Sequence, residues 1–331
     1  MQTNVGLDMA FFNNALTVNF DWYLKDTKDM LTIPPVLSVA GENAAKFMNT
    51  GDMRNWGVEL QLDYRSKSYN GFTWGANFNL SHYKNTVVKL NDFVHSIGGD
   101  VRLIEGQPMG VYYGYVNDGI FQNAQEVANH AMQQGAAPGR LRYRDLNGDG
   151  VITDADQCII GDPNPDLSLG LNLDFKWKGL ALSMFFTSEL GFDVINSTKN
   201  LTDFAWNGLA SANNRGANIM NAWTPNNPNA TIPAVSLSNN NNENRMSTYF
   251  VEDGSYLKMK YIKLSYDLPE KALKPWHCQS LNIFAQVENI FTVSRYSGLD
   301  PELPLGGYGA RVDNGAYPRA RTFSLGLNLA F

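Results

Sequence analysis

Apolar and polar residues alternate along nine stretches of the chain, and this period of two is its dominant pattern. Such alternation is typical of β-strands that have one apolar face and one polar face. In the fourth stretch, Phe72, Trp74 and Phe78 share one face, whereas Asn77 and Asn79 share the other. An all-β fold of about nine antiparallel strands is predicted from the stretches 5–11, 16–24, 58–64, 72–80, 167–175, 180–186, 257–266, 281–287 and 323–331.

Within the seventh stretch the apolar parity changes between Tyr261 and Ile262. This change predicts a β-bulge, in which one strand carries an extra residue. Alternation by itself leaves two architectures open, because a half-buried strand of a soluble β-sandwich alternates in the same way. The connections between the stretches and the placement of aromatic residues favour one of the two.

The connections alternate between short and long. Tight turns are predicted at 13–14, 66–71 and 178–179. The connections between the resulting strand pairs are long and cover about 26–55, 87–166 and 191–255. Compact soluble domains seldom contain such long joins, whereas outer-membrane barrels combine short periplasmic turns with long outer loops. When strand direction is counted back from the ninth stretch, every short turn lies on the side where the chain ends. The pattern therefore favours a transmembrane β-barrel.

Aromatic residues cluster at the turn ends of the apolar faces, as expected for the interfacial girdle of a membrane barrel. This set consists of Tyr64, Phe72, Trp74, Phe175, Trp177, Tyr266 and Phe331. The opposite face of the fourth stretch carries Thr73, Asn77, Asn79 and Ser81, which predict a hydrated wall. In the long connections, Tyr112, Tyr113, Tyr115, Trp206 and Trp223 are expected to pack among the loops, with stacking on sugar rings as the alternative.

Composition and motifs argue against nucleic-acid binding and catalysis. The 26 basic and 32 acidic residues give a net charge of -6 and are spread without a concentrated basic face. Neither a nucleophile elbow, a phosphate-binding glycine loop nor a paired-carboxylate arrangement occurs in a suitable context. The two cysteines lack metal-ligand spacing. We therefore expect a protein that is not an enzyme.

One motif carries defined chemistry, the twelve-residue stretch 145–156 with the sequence DLNGDGVITDAD. Its oxygen-bearing positions match a calcium loop, with a glycine at position six for the sharp turn. Position twelve is Asp156, where an EF-hand prefers glutamate, and the shorter carboxylate resembles dockerin-type loops. The predicted Ca²⁺ ligands are Asp145, Asn147, Asp149, the Val151 carbonyl, Thr153 and Asp156. An Asx-turn network without metal is the alternative.

Several segments resemble the SusC/RagA family of TonB-linked outer-membrane proteins. The final YPRARTFSLGLNLAF (317–331) is similar to the last strand of that family, including the aromatic terminal residue. Similar in order and spacing are VEDGSYLKMKYIKLSYDLP (251–269), VENIFTVSRYSGLDPE (287–302), EGQPMGVYYGYVNDGIFQ (105–122), RDLNGDGVITDADQCIIGDPNPD (144–166) and RNWGVELQLDY (54–64). The resemblance covers nearly the whole chain.

This resemblance implies a barrel of 22 strands, an N-terminal plug, contact with the TonB complex and a SusD-like surface lipoprotein as partner. It implies import of bulky nutrients, glycans or peptides, across the outer membrane of a Gram-negative bacterium. Nine strands do not give the even number of a closed bacterial barrel. We therefore expect 1–331 to be the C-terminal part of such a barrel, with the plug and remaining strands absent and 87–166 as a long extracellular loop containing the calcium-type loop. The rival is a secreted, calcium-stabilised β-sandwich that binds carbohydrate.

Overall fold

Nine strands form one antiparallel sheet in which each strand pairs with its neighbours along the chain. The computed structural model describes residues 1–32, 48–90, 95–208, 214–276 and 278–331. The strands of this main sheet, in their order across it, are β1 (Gln2–Phe11), β2 (Leu16–Thr32), β3 (Met48–Arg65), β4 (Phe72–Lys89), β11 (Leu167–Trp177), β12 (Leu180–Leu190), β15 (Tyr256–Asp267), β16 (Ser280–Ser294) and β18 (Thr322–Ala330). All nine predicted strands are confirmed.

Strands β2 and β3 are longer than the apolar pattern indicates. The predicted join 26–55 is therefore wrong in its bounds, because β2 continues to Thr32 and β3 begins at Met48. Polar residues maintain the pairing there: Arg54 donates to Asp26 at 2.7 and 3.2 Å across the two strands. The remaining part of this join, 33–47, lies outside the described residues.

Short turns join the strands at one end of the sheet, which we call the turn end. Two of the three short turns contain a pair of adjacent residues with positive φ: Asn70 and Gly71 at 50° and 79°, at the end of 66–71, and Lys178 and Gly179 at 47° and 88°. Such a pair matches the twist of the flanking strands and allows a two-residue hairpin. Asn13 and its neighbours on either side form the third turn, also with positive φ. The three predicted turns are confirmed.

The predicted bulge lies in β15, one residue before the change of apolar parity. Met259 pairs with Phe186 and Tyr261 pairs with Phe185, so Lys260 is the extra residue. The register against β16 shifts at the same place. As a result, Lys258, Lys260 and Tyr261 all project from the polar face of the sheet, which an unbulged strand would not allow.

The long connections contain secondary structure of their own. Their described parts contain nine short strands: β5 (Ser96–Gly98), β6 (Val101–Ile104), β7 (Val111–Tyr115), β8 (Asn117–Ile120), β9 (Leu141–Tyr143), β10 (Gln157–Gly161), β13 (Asp193–Asn196), β14 (Val251–Asp253) and β17 (Val312–Asp313). They form a four-stranded sheet (β10-β7-β6-β5), a three-stranded sheet (β14-β13-β17) and the pair β8-β9. We call 95–166, 191–208, 214–255 and 295–321 together the loop body.

Helices are few and short. They comprise α1 (Ala124–Asn129), α2 (Lys199–Thr202), α3 (Glu270–Leu273) and the 3₁₀ turns Asp154–Asp156, Ala205–Gly208, Ala217–Asn221, Lys274–Trp276 and Gly307–Gly309. Among the described helices, none is both long and apolar enough to span a lipid bilayer.

The buried core of the chain lies in the loop body and not beneath the main sheet. One cluster gathers Tyr112, Leu141, Tyr143 and Phe250, and a second gathers Phe192, Val194 and Tyr296. In the main sheet, by contrast, the apolar side chains of β18 are uncovered: Phe323, Leu325 and Leu327 are 74%, 82% and 65% exposed. The sheet therefore has an apolar face that the rest of the described chain does not cover and that is unsuited to contact with water.

Candidate functional site: the polar face and the loop body

The polar face of the main sheet consists of regular cross-strand rows. Asn19, Gln61 and Asn79 stand side by side in one row, and Glu59 and Ser81 stand together in the next. A depression of about 380 Å³ opens over these rows. Its polar lining consists of Asp8, Asn19, Asp21, Glu59, Gln61, Asn79, Ser81 and Ser168. The predicted hydrated wall thus extends from β1 to β11.

Amide and carboxylate groups on this wall pair along the strands. Asn79 donates to Asn77 at 2.7 Å, and Gln61 donates to Asp63 at 2.8 Å. Asp21 stands directly opposite Glu59, a like-charge pair that costs stability in a sheet. The wall can therefore hydrogen-bond a passing polar solute at many points.

Gly57 lies in the row above, between Tyr23 and Tyr83. A Cβ at this position would stand 2.6 Å from Tyr23 Oη and 2.7 Å from the carbonyl oxygen of His82. Only glycine therefore allows the Tyr23 side chain to lie across the strand. This places two tyrosines on the polar face beside the depression.

The connection 295–321, which we call the strap, is held against the polar face by an ionic cluster. Lys258 is almost fully buried, and its Nζ donates to Asp300 at 2.9 and 3.0 Å and to Glu302 at 2.6 Å. Lys260, the bulge residue, also donates to Glu302. Burial raises the pKa of Glu302, but the hydrogen bonds from the two lysines outweigh this and leave the pKa lowered. Strand β15 thus supplies the two cations of this cluster, one of which is the bulge residue.

Arg311 holds the other half of the strap. Its guanidinium donates to Glu189 on β12 at 2.8 Å and to the Pro163 carbonyl at 3.2 Å, and it lies 4.3 Å from the ring centre of Phe192. Its backbone N–H donates to the hydroxyl of Tyr112, which is fully buried. Since Glu189 and Lys258 both belong to the polar face, the strap crosses that face at the end of β12 and the start of β15.

Tyrosines and tryptophans of the loop body pack inside it, as predicted. Tyr112, Tyr115 and Trp223 are buried members of its larger core cluster, and Trp206 packs against that cluster. Tyr113 is only half-buried and lies under the guanidinium of Arg102, 3.7 Å from the ring centre. The prediction that these aromatic side chains pack among the loops is confirmed.

The predicted calcium loop is a network of Asx turns. Asp145 accepts from the N–H groups of Gly148 and Gly150 at 2.7 and 2.9 Å, and Asp149 accepts from that of Val151 at 2.9 Å. Asn147 donates to Asp149 at 2.9 Å. These are side-chain oxygens at the positions predicted to bind the metal.

Asp156 is fully buried beneath this loop and accepts from the N–H groups of Leu146 and Thr153 at 2.9 and 2.8 Å. Burial raises the pKa of Asp156, but these backbone bonds and the neighbouring Asp145 carboxyl outweigh that effect and lower it. Nowhere within the described ranges do three His, Cys, Asp or Glu side chains converge as metal ligands. Binding of Ca²⁺ by Asp145, Asn147, Asp149, Val151, Thr153 and Asp156 stays a prediction.

Aromatic rings mark two levels on the apolar face. At the turn end, the ring of Trp74 packs 4.7 Å from that of Tyr64, and Trp74 pairs with Phe175, which confirms the predicted cluster for these three residues. At the far end, Trp56 and His82 meet edge to face at 5.4 Å, a second level that the sequence interpretation missed. His82 follows Trp74 by eight positions, which corresponds to roughly 27 Å along the strand. At a strand tilt near 40° this length spans about 20 Å of membrane depth. Outer-membrane barrels carry an apolar band of similar height.

Comparison with known proteins gives consistent results. The family model for the TonB-dependent receptor-like β-barrel matches residues 1–155. TonB-dependent receptor P3 of Formosa agariphila is 33% identical over the whole chain, and TonB-dependent receptor SusC of Bacteroides thetaiotaomicron is 28% identical over 99% of it. A solved structure of the RagAB peptide transporter superimposes on the whole chain with a TM-score of 0.82 at 25% identity. The chain belongs to the TonB-dependent receptor β-barrel family.

Members of this family are outer-membrane transporters and not enzymes. The expectations of an outer-membrane location and of a protein that is not an enzyme are therefore confirmed. The similarity to SusC and RagAB also confirms the SusC/RagA resemblance. The chain spans about one third of the length of these relatives: 34% of P3, 31% of SusC and 35% of the RagAB chain. The rival β-sandwich is not supported, because the apolar face of a TonB-dependent receptor barrel faces lipid.

Proposed function

We propose that this chain forms wall and outer loops of a TonB-dependent importer for bulky nutrients, glycans or peptides, in the outer membrane. The observation that carries the proposal is the two-faced sheet, with an exposed apolar face between two aromatic levels and a hydrated polar face opposite. Substrates too large for diffusion through porins need a wide, polar lumen. The polar rows of β1 to β11 provide part of such a wall.

The partners follow from the same relatives. The solved RagAB structures are described as a peptide transporter and importer, and SusC-type receptors pair with a SusD-like surface lipoprotein. We propose that the loop body faces the outside and meets such a lipoprotein, which closes over the lumen. Energy would come from the TonB complex, acting on parts of the receptor that precede the barrel.

Uptake by the whole receptor tests this proposal. Cells that express the full-length receptor with its neighbouring SusD-like lipoprotein should accumulate labelled oligosaccharide or oligopeptide. A TonB deletion or a protonophore should abolish the accumulation, because the import is energised from the inner membrane. Accumulation that persists without TonB would refute active import, and equal accumulation in cells lacking the receptor would refute its role.

We also propose that the loop 145–156 binds Ca²⁺ as a structural ion. The Asx turns already orient Asp145 and Asp149, and the Asp156 carboxyl stands beside that of Asp145. Carboxylate, amide and carbonyl oxygens are the ligands that Ca²⁺ prefers. When bound, the ion would neutralise the acidic side chains and stiffen the loop.

A further inference from the structure

A cavity of about 510 Å³ opens in the loop body. It shares no lining residue with the depression on the polar face. Its walls come from three separate connections, represented by Ile120, by Lys199 with Tyr249, and by Ser297 of the strap. The volume falls in the range of about 300–1,000 Å³ that small-molecule sites occupy.

Within this cavity Lys199 is paired with Glu252, and the second carboxylate, Asp203, is hydrogen-bonded by a tyrosine. Lys199 Nζ lies 2.7 Å from Glu252 Oε1 and donates to the Tyr249 carbonyl at 2.9 Å. The Tyr249 hydroxyl donates to Asp203 at 2.7 Å. Burial raises the pKa of Glu252, but bonds from Lys199 and Ser297 outweigh that and lower it, so the ion pair persists at neutral pH. An anionic ligand would find no unpaired cation among the lining residues and would have to disrupt the Lys199–Glu252 pair.

The remaining lining is arranged as a binding site for a small polar molecule. Ile120 and Ile232 are buried at its base, whereas Asn218 and Thr231 are exposed at its mouth. A Cβ built on Gly119 would meet no atom within 4 Å, so the wall is open at that point. The cavity thus combines an apolar base with amide and hydroxyl groups at its mouth.

Both hydrogen-bond donors and acceptors line this space. Lys199 can only donate, Asp203 can only accept, and the side chains of Asn218 and Thr231 can do both. A ligand that satisfies all of them must carry groups that donate and accept at short spacing. Sugar hydroxyls do this, whereas an ammonium group only donates and a carboxylate only accepts.

We propose that this cavity binds a small neutral saccharide, holding it in the loop body apart from the polar wall. The inference rests on the proposed function insofar as nutrient import brings such ligands to the loop body. It adds a capture site that is separate from the transport path along the polar face.

Hydrogen–deuterium exchange on the purified full-length receptor tests the proposal. The probes are neutral oligosaccharides from partial acid hydrolysis of starch, cellulose, mannan, galactan and xylan, with trialanine and tetraalanine as a peptide arm. We expect at least one saccharide to slow exchange at 117–120 and 230–232, and the peptides to leave these segments unchanged. Protection by the peptides alone, or by none of the probes, would overturn the proposal.

Two variants locate the site. Thr231→Trp places a large ring in the cavity mouth and should abolish the protection, whereas Leu237→Trp, at a residue 69% exposed outside the lining in the same connection, should preserve it. Equal protection in both variants would overturn the assignment to this cavity. Uptake measured in parallel separates the two proposals: import that continues while Thr231→Trp loses protection supports a capture site and leaves the proposed function intact. TonB-independent import with protection intact would refute only the proposed function.

Discussion

Phe78 tests which face of the sheet meets lipid. It lies on the apolar face of β4, flanked by Leu62 on β3 and Leu171 on β11. Its chain neighbour Asn79 lies on the polar face and lines the depression there. Substituting each with arginine in the full-length receptor places the same charge on opposite sides of one strand.

The expected cost follows from the depth of Phe78. It is four residues from Trp74 and four from His82, so it lies midway between the two aromatic levels. An arginine on the lipid face costs about 2–4 kcal/mol at the bilayer midplane and about 0–1 near the interfaces. Phe78→Arg should therefore reduce the folding equilibrium constant by roughly 30- to 700-fold. Leu180→Arg, which pairs with Trp177 and Tyr266 at the turn-end level, should cost about 0–1 kcal/mol.

Denaturant titration in lipid vesicles measures these differences. The full-length receptor and each variant are equilibrated with vesicles across a guanidinium series, and the free energy of unfolding is compared. We expect Phe78→Arg to lower the free energy of unfolding most and Leu180→Arg to lower it less. The value for Asn79→Arg should be close to that of the unmodified receptor. If Asn79→Arg were as costly as Phe78→Arg, the two faces would be wrongly assigned and the barrel interpretation would fail.

Three further predictions concern the loop body. Lys258→Met leaves Asp300 and Glu302 without their shared buried cation and should destabilise the strap by about 3–5 kcal/mol. Hydrogen exchange in 295–321 should rise, and an unchanged rate would contradict the ionic attachment. Asp145→Ala should remove Ca²⁺-dependent protection of 145–156 from proteolysis, whereas equal protease sensitivity with Ca²⁺ and with chelator before mutation would contradict the calcium proposal. Because the pKa of Glu252 is lowered, the stability it contributes is present above its ordinary value near pH 4.3 and is lost as pH falls. After correction for the intrinsic pH dependence of amide exchange, protection at 297 should therefore fall on acidification from pH 6 to 3.5 more than in Glu252→Gln, and identical profiles would refute this assignment.

The main sheet could be predicted from sequence because its information is local. Alternation along each strand determines which residues share a face, and asparagine–glycine and lysine–glycine pairs mark two of the three short turns. Even the bulge left a local trace, the change of parity between Tyr261 and Ile262. The polar ends of β2 and β3 were missed because Arg54 and Asp26 extend the pairing without adding apolar alternation.

The loop body could not be predicted in the same way, because its contacts join residues far apart in sequence. Tyr112 meets the backbone of Arg311 across 199 positions, and β7 pairs with β10 only after a long excursion. The attachment of the strap likewise depends on which way Lys260 projects, which the bulge decides. Neither the strap nor the saccharide cavity has a motif of consecutive residues that would reveal it.

A spin-label scan of β4 tests the central claim most directly. Single cysteines at each position from 75 to 81, in a cysteine-free full-length receptor reconstituted in vesicles, are labelled and exposed to oxygen and to a water-soluble nickel chelate. Oxygen, which concentrates in lipid, should relax the labels at Ala76, Phe78 and Leu80 most strongly. The chelate should relax the labels at Asn77, Asn79 and Ser81 most strongly. A constant response along the strand, or the opposite phase, would contradict a sheet whose apolar face meets the membrane and whose polar face borders water.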